Sequence, residues 1–235
     1  MQNNSAGSLV VPTHLGIIPD GNRRWAKERT LPSLEGHRRG LQVAKEVALA
    51  AFERGVQFFT IYAFSTENWQ RTQDEVGYLM GLFCDLLERE FQELKDREVR
   101  FRLLGSRDRL PAKLLKLVDR TEEQTADFTR GTLSLCLNYG GQAELSDAFR
   151  AMMAAGVRPE EVSPGMIAEH LYGPEVPAVD LVIRTSGEQR LSGFMLWRAA
   201  YAELYFAQKH WPDFTAVDLD EALTEFARRQ RRYGK

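Results

Sequence analysis

Three short stretches of this chain concentrate arginine, hydroxyl and carboxylate side chains beside glycine. They are Pro19-Asp20-Gly21-Asn22-Arg23-Arg24-Trp25, Ser65-Thr66-Glu67-Asn68-Trp69-Gln70-Arg71, and Arg184-Thr185-Ser186-Gly187-Glu188-Gln189-Arg190-Leu191-Ser192. An Asp-Gly-Asn sequence can turn tightly and offer backbone N–H groups, while paired guanidinium groups match phosphate oxygens. A carboxylate beside such an anion site is a natural Mg²⁺ ligand, because Mg²⁺ is usually held by one or two carboxylates plus substrate phosphates. Asp20 fills that description. The third stretch sets Arg184, Arg190 and Ser192 around Gly187 and suits a second diphosphate. Each stretch has an ordinary reading as well: D-G-N is a common turn, and arginines at a helix start are often solvated. Three donor-rich stretches, each directly after a strand, are harder to treat as three turns.

The elements that must position these residues alternate. Leu15 to Ile18 is a short apolar run closed by Pro19, as in a buried strand. Gly36 to Arg54 carries apolar residues at helical spacing and ends at Gly55. Gln57 to Phe64 is rich in aromatic and β-branched residues and predicts a strand. Thr72-Gln73-Asp74-Glu75 is a T-x-x-E capping box opening a long helix, whose apolar stripe runs from Val76 to Leu94. Further strands are expected at 99–104, 132–137, 180–183 and 203–206, and further helices at 111–127, 142–154 and 218–232. This alternation predicts an α/β fold: a single domain with a central, mainly parallel sheet flanked by helices. Residues 1–13 read as an N-terminal tail and 14–235 as the domain. In such a sheet ligands sit at the carboxyl ends of the strands, where the three stretches fall.

Composition narrows the function classes. At 235 residues and 43% hydrophobic, the chain can bury a full core. A formal net charge of −2 argues against a general polyanion binder, so no nucleic-acid partner is expected. Cys84 and Cys136 lack C-x-x-C spacing and read as core residues of a reduced protein. Neither a signal peptide nor an apolar run of roughly 20 residues is present, which predicts a soluble, cytoplasmic protein. The phosphate signatures G-x-x-x-x-G-K-[ST] and G-x-G-x-x-G are absent, disfavouring a P-loop NTPase or a Rossmann dehydrogenase.

Longer motifs then carry a resemblance. His14-Leu15-Gly16-Ile17-Ile18-Pro19-Asp20-Gly21-Asn22-Arg23-Arg24-Trp25-Ala26, Tyr62-Ala63-Phe64-Ser65-Thr66-Glu67-Asn68-Trp69, Asn138-Tyr139-Gly140-Gly141 and Asp180 through Ser192 occur in family order, followed by Tyr201-Ala202-Glu203-Leu204-Tyr205-Phe206 and Trp211-Pro212. From about residue 14 onward the chain resembles the cis-prenyltransferases, the family of undecaprenyl diphosphate synthase. The helical trans-prenyltransferases use D-D-x-x-D motifs, which this chain lacks.

The resemblance implies an enzyme that condenses isopentenyl diphosphate with an allylic diphosphate, using Mg²⁺. Asp20 would hold the ion and assist departure of the allylic diphosphate, with Glu203 as the second carboxylate. Gly21, Asn22, Arg23, Arg24, His37 and Arg71 would surround the allylic diphosphate. Ser65, Thr66, Glu67 and Asn68 would lie near the reacting carbons. Asn68 carries the family's proton-acceptor assignment, although an amide is a poor base and the released diphosphate is an alternative. Arg184, Arg190, Leu191 and Ser192 would bind isopentenyl diphosphate, and Trp25 and Trp69 would line the allylic site. A growing apolar tail implies a hydrophobic tunnel walled by the helices around 41–54 and 76–94, and the same stripes also serve as core. Family members of this type are homodimers whose Arg-x-Gly tail, here Arg232-Tyr233-Gly234, reaches the partner's active site. A long product implies transient, peripheral contact with a membrane.

Several positions depart from the usual bacterial pattern. Ser33 stands where an Arg is common four residues before His37, and Arg23 where many members have Gly. Pro19 replaces a common Met, Gly193 a common Asn, and Leu137 sits where a smaller residue is often found. No insertion marks 76–98, so a short or medium product, up to undecaprenyl length, is expected. Two other readings remain: an irregular, lavandulyl-type synthase, which Ser33 keeps open, and a non-catalytic partner subunit, which the retained Asp20, Asn68, Arg184, Arg190 and Glu203 oppose.

Overall fold

The computed structural model describes residues 10–89 and 91–229. Six strands are β1 His14–Ile18, β2 Phe58–Ser65, β3 Val99–Leu104, β4 Gly131–Tyr139, β5 Leu181–Arg184 and β6 Glu203–Phe206. The helices are α1 Asn22–Glu28, α2 Ser33–Glu53, α3 Gln73–Arg89, α4 Phe91–Asp96, α5 Ala112–Gln124, α6 Gly141–Ala154, α7 Pro164–Glu169 and α8 Ala216–Arg228. All strands belong to one sheet in the order β3-β4-β2-β1-β5-β6. Every neighbouring pair is parallel, so the mainly parallel sheet expected from the sequence is wholly parallel here. The chain passes from β1 to β2 on one side and later returns with β5 on the other. The carboxyl end of β1 is therefore a switch point, where a crevice opens between diverging connections.

Period-two alternation sorts the strand residues onto two faces. Leu15, Ile17, Phe59, Ile61, Leu135, Leu137, Leu181 and Ile183 join the larger core beneath α2, α3, α5 and α8. Ile18, Tyr62, Cys136, Tyr139 and Val182 face a smaller one with Phe194 and Met195. Near the end of β2 the register to β4 shifts between Tyr62 and Phe64, and again before Ser65, so Phe64 returns to the larger core. Both cysteines are buried and free, as expected of core residues.

The sequence treats Asp20–Asn22 as a turn, and the structure continues it into α1. Short α7, capped by Ser163 accepting from Met166 N at 3.2 Å, was not anticipated either. The terminal helix covers Ala216–Arg228, and the Arg232-Tyr233-Gly234 tail lies outside the described residues. No helix among the described residues is long and apolar enough to cross a membrane.

Candidate active site

The loops after β1 and β5 meet at Asp20. Arg184, the last residue of β5 and only 3% exposed, donates from Nη2 to Asp20 Oδ2 at 2.9 Å. Gly21 N and Arg24 Nη2 donate to Asp20 Oδ1 at 2.7 and 3.2 Å. Burial works to raise the Asp20 pKa, but the Arg184 bond and charge, with Gly21 and Arg24, hold it below the usual aspartate value. The carboxylate is therefore anionic and, at 29% exposed, still faces solvent. Of its roughly four acceptor directions three are taken, leaving Oδ2 room for one more partner. An Mg²⁺ ion fits this donor set through a single carboxylate oxygen. Among the described residues no three His, Cys, Asp or Glu side chains gather to hold a metal. The remaining ligands would be phosphate oxygens and water.

Arg184 extends the site toward the third sequence stretch. Its Nη1 donates to Ser192 Oγ at 2.8 Å and also to the Arg190 carbonyl, while its Nε is buried without a partner among the described residues. Glu188 joins Arg190 to Arg24, with Arg24 Nη1 at 2.8 Å from Glu188 Oε1. Leu191 packs into the smaller core and contributes through the loop's backbone fold, where Phe194 N bonds to its carbonyl.

A second set of nitrogen donors converges on a residue the motifs did not single out for the site. Glu75, in the first turn of α3, accepts from Arg71 Nη1 at 3.0 Å, lies 3.1 Å from His37 Nε2, and is 3.9 Å from Arg23 Nη1. The T-x-x-E box is thus half formed. Glu75 N donates to Thr72 Oγ1 at 3.3 Å, but the Glu75 side chain turns away to these donors. Burial, with the Arg71 charge, pushes His37 below the ordinary imidazole value despite the opposing pull of Glu75. Asp20, Gly21, Asn22, Arg23, Arg24, His37, Arg71 and Arg190 share one polar pocket of 300 Å³.

Ser65 and Asn68 sit at the carboxyl end of β2 and cap each other. Asn68 Oδ1 accepts from Ser65 N at 3.0 Å, and the Ser65 side chain accepts from the Asn68 backbone. Thr66 packs beside Gly140, where an added Cβ would come within 2.7 Å of Thr66 Oγ1, and Glu67 is exposed. Trp25 and Trp69 line neither the polar pocket nor the apolar cavity beside it. Trp25 Nε1 donates to Asp213 Oδ1 at 2.7 Å, with the Arg29 guanidinium over its ring. Trp69 Nε1 donates to Asn138 Oδ1 at 2.7 Å, with its ring edge-on to Phe64.

Glu203 is also placed away from the pocket. It opens β6 opposite Leu181, three residues before Arg184, which puts it at the amino end of the sheet. There its carboxylate pairs with Arg229 Nη1 at 3.0 Å. Within one chain, Glu203 does not supply a second ligand beside Asp20.

Next to the polar pocket lies an apolar cavity of 120 Å³. Pro19, Asn22 and His37 line both, so charged head and apolar interior meet at these residues. Beyond them the walls are Leu41, Ala44, Ala48 and Phe52 of α2, Leu79, Leu82, Phe83 and Leu86 of α3, and Ile61, Leu133 and Leu135 of the sheet. Gly36 and Gly40 let α2 approach this junction: an added Cβ would come within 2.0 Å of the Asn22 carbonyl and 2.4 Å of Asn22 Oδ1.

With this geometry in place, comparisons with known proteins are specific. The family model describing undecaprenyl diphosphate synthase matches residues 18–234. The chain is 44% identical over 228 residues to an isoprenyl transferase of Thermotoga maritima, covering 96% of this chain and 98% of that one. It is 46% identical over 229 residues to a trans,polycis-polyprenyl diphosphate synthase, (2Z,6E)-farnesyl diphosphate specific, of Thermobifida fusca, covering 96% and 81%. In three dimensions it matches lavandulyl diphosphate synthase from Lavandula x intermedia in complex with dimethylallyl diphosphate. That match has a TM-score of 0.92 at 34% identity and covers 96% and 99% of the two chains.

Proposed function

The chain belongs to the undecaprenyl diphosphate synthase family of prenyltransferases, and on that premise we propose that it joins isopentenyl diphosphate head-to-tail to an allylic diphosphate, yielding a cis-polyprenyl diphosphate. The observation carrying this reading is the shared boundary of a cationic pocket and an apolar cavity at Pro19, Asn22 and His37. One amphiphile with a diphosphate head and a hydrocarbon tail fits across it.

Arg23, Arg24, His37 and Arg71 hold the allylic diphosphate, while the Gly21 N–H orients the Asp20 carboxylate beside it. Arg184, Arg190 and Ser192 hold that of isopentenyl diphosphate. As the allylic C–O bond ionises, charge gathers on the departing diphosphate, and donors already in place stabilise it without reorganising. Asp20 would hold Mg²⁺, which would supply further charge neutralisation on those oxygens. The isopentenyl double bond attacks C1, and loss of a proton sets the new double bond. Because the Asn68 carbonyl is engaged by Ser65 N, this side chain offers its N–H groups to the reaction. The released diphosphate is the better proton acceptor. The cavity is the start of a product tunnel. An apolar cavity of about 150 Å³ holds benzene, so 120 Å³ suits roughly one isoprene unit before α2 and α3 must part. The enzyme would act in the cytoplasm as a homodimer and touch a membrane on product release.

The likeness to lavandulyl diphosphate synthase, together with Ser33, favours one second reading: an irregular junction between two dimethylallyl units. Labelled isopentenyl diphosphate supplied with dimethylallyl, geranyl or farnesyl diphosphate and Mg²⁺ separates the two. A cis-polyprenyl ladder ending at one length is the expected result. Products from dimethylallyl diphosphate alone would establish the irregular reaction instead. An Asp20→Ala variant with undiminished turnover would sink the ion site.

A further inference from the structure

Ser186, His210 and Glu28 form a hydrogen-bonded chain across three separate segments. Ser186 Oγ lies 2.6 Å from His210 Nδ1, and His210 Nε2 lies 2.9 Å from Glu28 Oε1. Ser186 is in the loop after β5, His210 in the loop after β6, and Glu28 ends α1. Glu28, when ionised, can only accept, so it selects the Nε2–H form of a neutral ring and leaves Nδ1 to accept from the Ser186 hydroxyl. Ser186 holds a φ of 75°, a region non-glycine residues occupy at a cost. It is kept there by its own N–H donating to Lys209 O at 2.7 Å, and by Gly187 N donating to Ala207 O at 2.9 Å.

This chain presses on the turn that carries the site. A Cβ added to Gly21 would come within 2.6 Å of Ser186 Oγ and 2.7 Å of His210 Nδ1. The same two loops grip the Asp20 carbonyl, through Thr185 Oγ1 at 2.7 Å and Trp211 N at 3.0 Å. Arg24 Nη1 reaches the Ser186 carbonyl at 3.5 Å. The Asp20–Gly21 turn thus has a side-chain brace behind it as well as cations in front.

We propose that Ser186 and His210 are positioning residues for the proposed prenyl transfer, with Glu28 setting the tautomer of the ring: the Ser186–His210 bond fixes the loops after β5 and β6 behind the Asp20–Gly21 turn, and so holds the Asp20 carboxylate in register with Arg184. The inference rests on the reading of this pocket as a diphosphate site. None of the three need touch the substrate. Their effect is transmitted through the backbone at Gly21, where a displacement of about 1 Å can cost on the order of a hundredfold in rate.

The two ring nitrogens allow the brace to be separated from general stability. In His210→Asn a polar atom remains where Nδ1 meets Ser186, but the link to Glu28 is lost. In His210→Gln the reach to Glu28 is kept and the Ser186 contact is lost. These variants and Ser186→Ala are compared by calorimetric titration with inorganic pyrophosphate in metal-free buffer, and by kcat and KM with Mg²⁺. Ser186→Ala and His210→Gln should weaken pyrophosphate binding about tenfold, as loss of roughly 1.4 kcal/mol would, and lower kcat more than they raise KM. His210→Asn should stay within about twofold in binding, as a retained Ser186 contact requires. Wild-type binding in Ser186→Ala would overturn the proposal. Losses that follow melting temperature across all three variants, His210→Asn included, would overturn it equally. A wild-type chain that binds pyrophosphate yet makes no isoprenoid product would remove the proposed reaction and leave this comparison of binding intact.

Discussion

Arg198 and Arg184 are 5% and 3% exposed, and each meets one carboxylate at hydrogen-bond length, Glu144 at 2.8 Å and Asp20 at 2.9 Å. What surrounds the two pairs differs. Arg198 also donates from Nε to Val176 O and from Nη2 to Tyr172 O and Gly173 O. Glu144 in turn accepts from the Tyr139 hydroxyl and from Tyr172 N. That network is closed, with buried charge matched by fixed partners, and it binds α6 to the segment before β5. At the second pair, Arg184 Nε has no partner among the described residues and the carboxylate remains partly open to solvent. A buried ion pair with finished coordination is structure. One with unfinished coordination at a strand's carboxyl end has room for a further ligand.

The contrast is broken most directly by removing each arginine. Arg198→Met should cost about 3–5 kcal/mol of stability in denaturant unfolding, because Glu144 is left charged and buried without its partner. Arg184→Lys should have the opposite profile. Lysine can meet Asp20, but it cannot also span Ser192 Oγ and the Arg190 carbonyl in a planar fork. Turnover should fall about 10²–10³-fold, the effect of losing one preorganised donor to a developing charge, while stability changes by only about 1 kcal/mol. Equal losses of stability in both variants would erase the distinction between the pairs.

The histidines extend the comparison to pH. His14 is enclosed at the start of β1, with Nδ1 at 2.9 Å from Pro177 O and Nε2 at 2.8 Å from Thr60 Oγ1. Burial pushes its pKa down to about 4 from the ordinary 6.5. Between these values the unfolded chain binds more protons than the folded one, so stability rises with pH through that window and is level above it. On the order of 3 kcal/mol should be lost on acidifying from pH 7 to pH 4 through this group. Urea titrations across the window should show a shallower slope for His14→Gln, and identical slopes would remove His14 as the cause.

These features were unequally visible in the sequence. Strand-end clustering of Asp20, Arg24, Arg184 and Arg190 followed from alternating elements, since a parallel sheet carries every strand end to one edge. Its register could not be read, because pairing depends on residues far apart in the chain. Glu203 belongs to a long family motif, yet β6 begins at that residue and carries it to the other edge. Trp25 and Trp69 lie beside the motif residues in sequence, but indole N–H groups take the nearest strong acceptors, here Asp213 and Asn138. Arg198 and Glu144 gave no local signal, being 54 residues apart and meaningful only once both are enclosed. Glu75 was visible as a cap and missed as an ion partner. The T-x-x-E pattern describes the backbone at Glu75 and leaves its carboxylate free to choose stronger partners.

That choice gives the smallest and most selective test. Glu75 is the carboxylate shared by His37 and Arg71, and its charge draws the His37 pKa upward against burial and the Arg71 charge, which together lower it. In Glu75→Gln the upward pull is lost while the helix start is kept, because the Thr72 bond uses the Glu75 backbone N–H. His37 should then titrate at a lower pH than in the wild type, followed through its ring proton by NMR. Because the ring is then less often protonated at a given pH, diphosphate binding should weaken at a correspondingly lower pH as pH rises. Pyrophosphate should oppose the change by supplying the missing negative charge, so its addition should raise the His37 titration midpoint in the variant. An unmoved midpoint would mean that Glu75 and His37 are neighbours without electrostatic coupling, and the cations around Glu75 would then belong with the closed network at Arg198 rather than with the open one at Arg184.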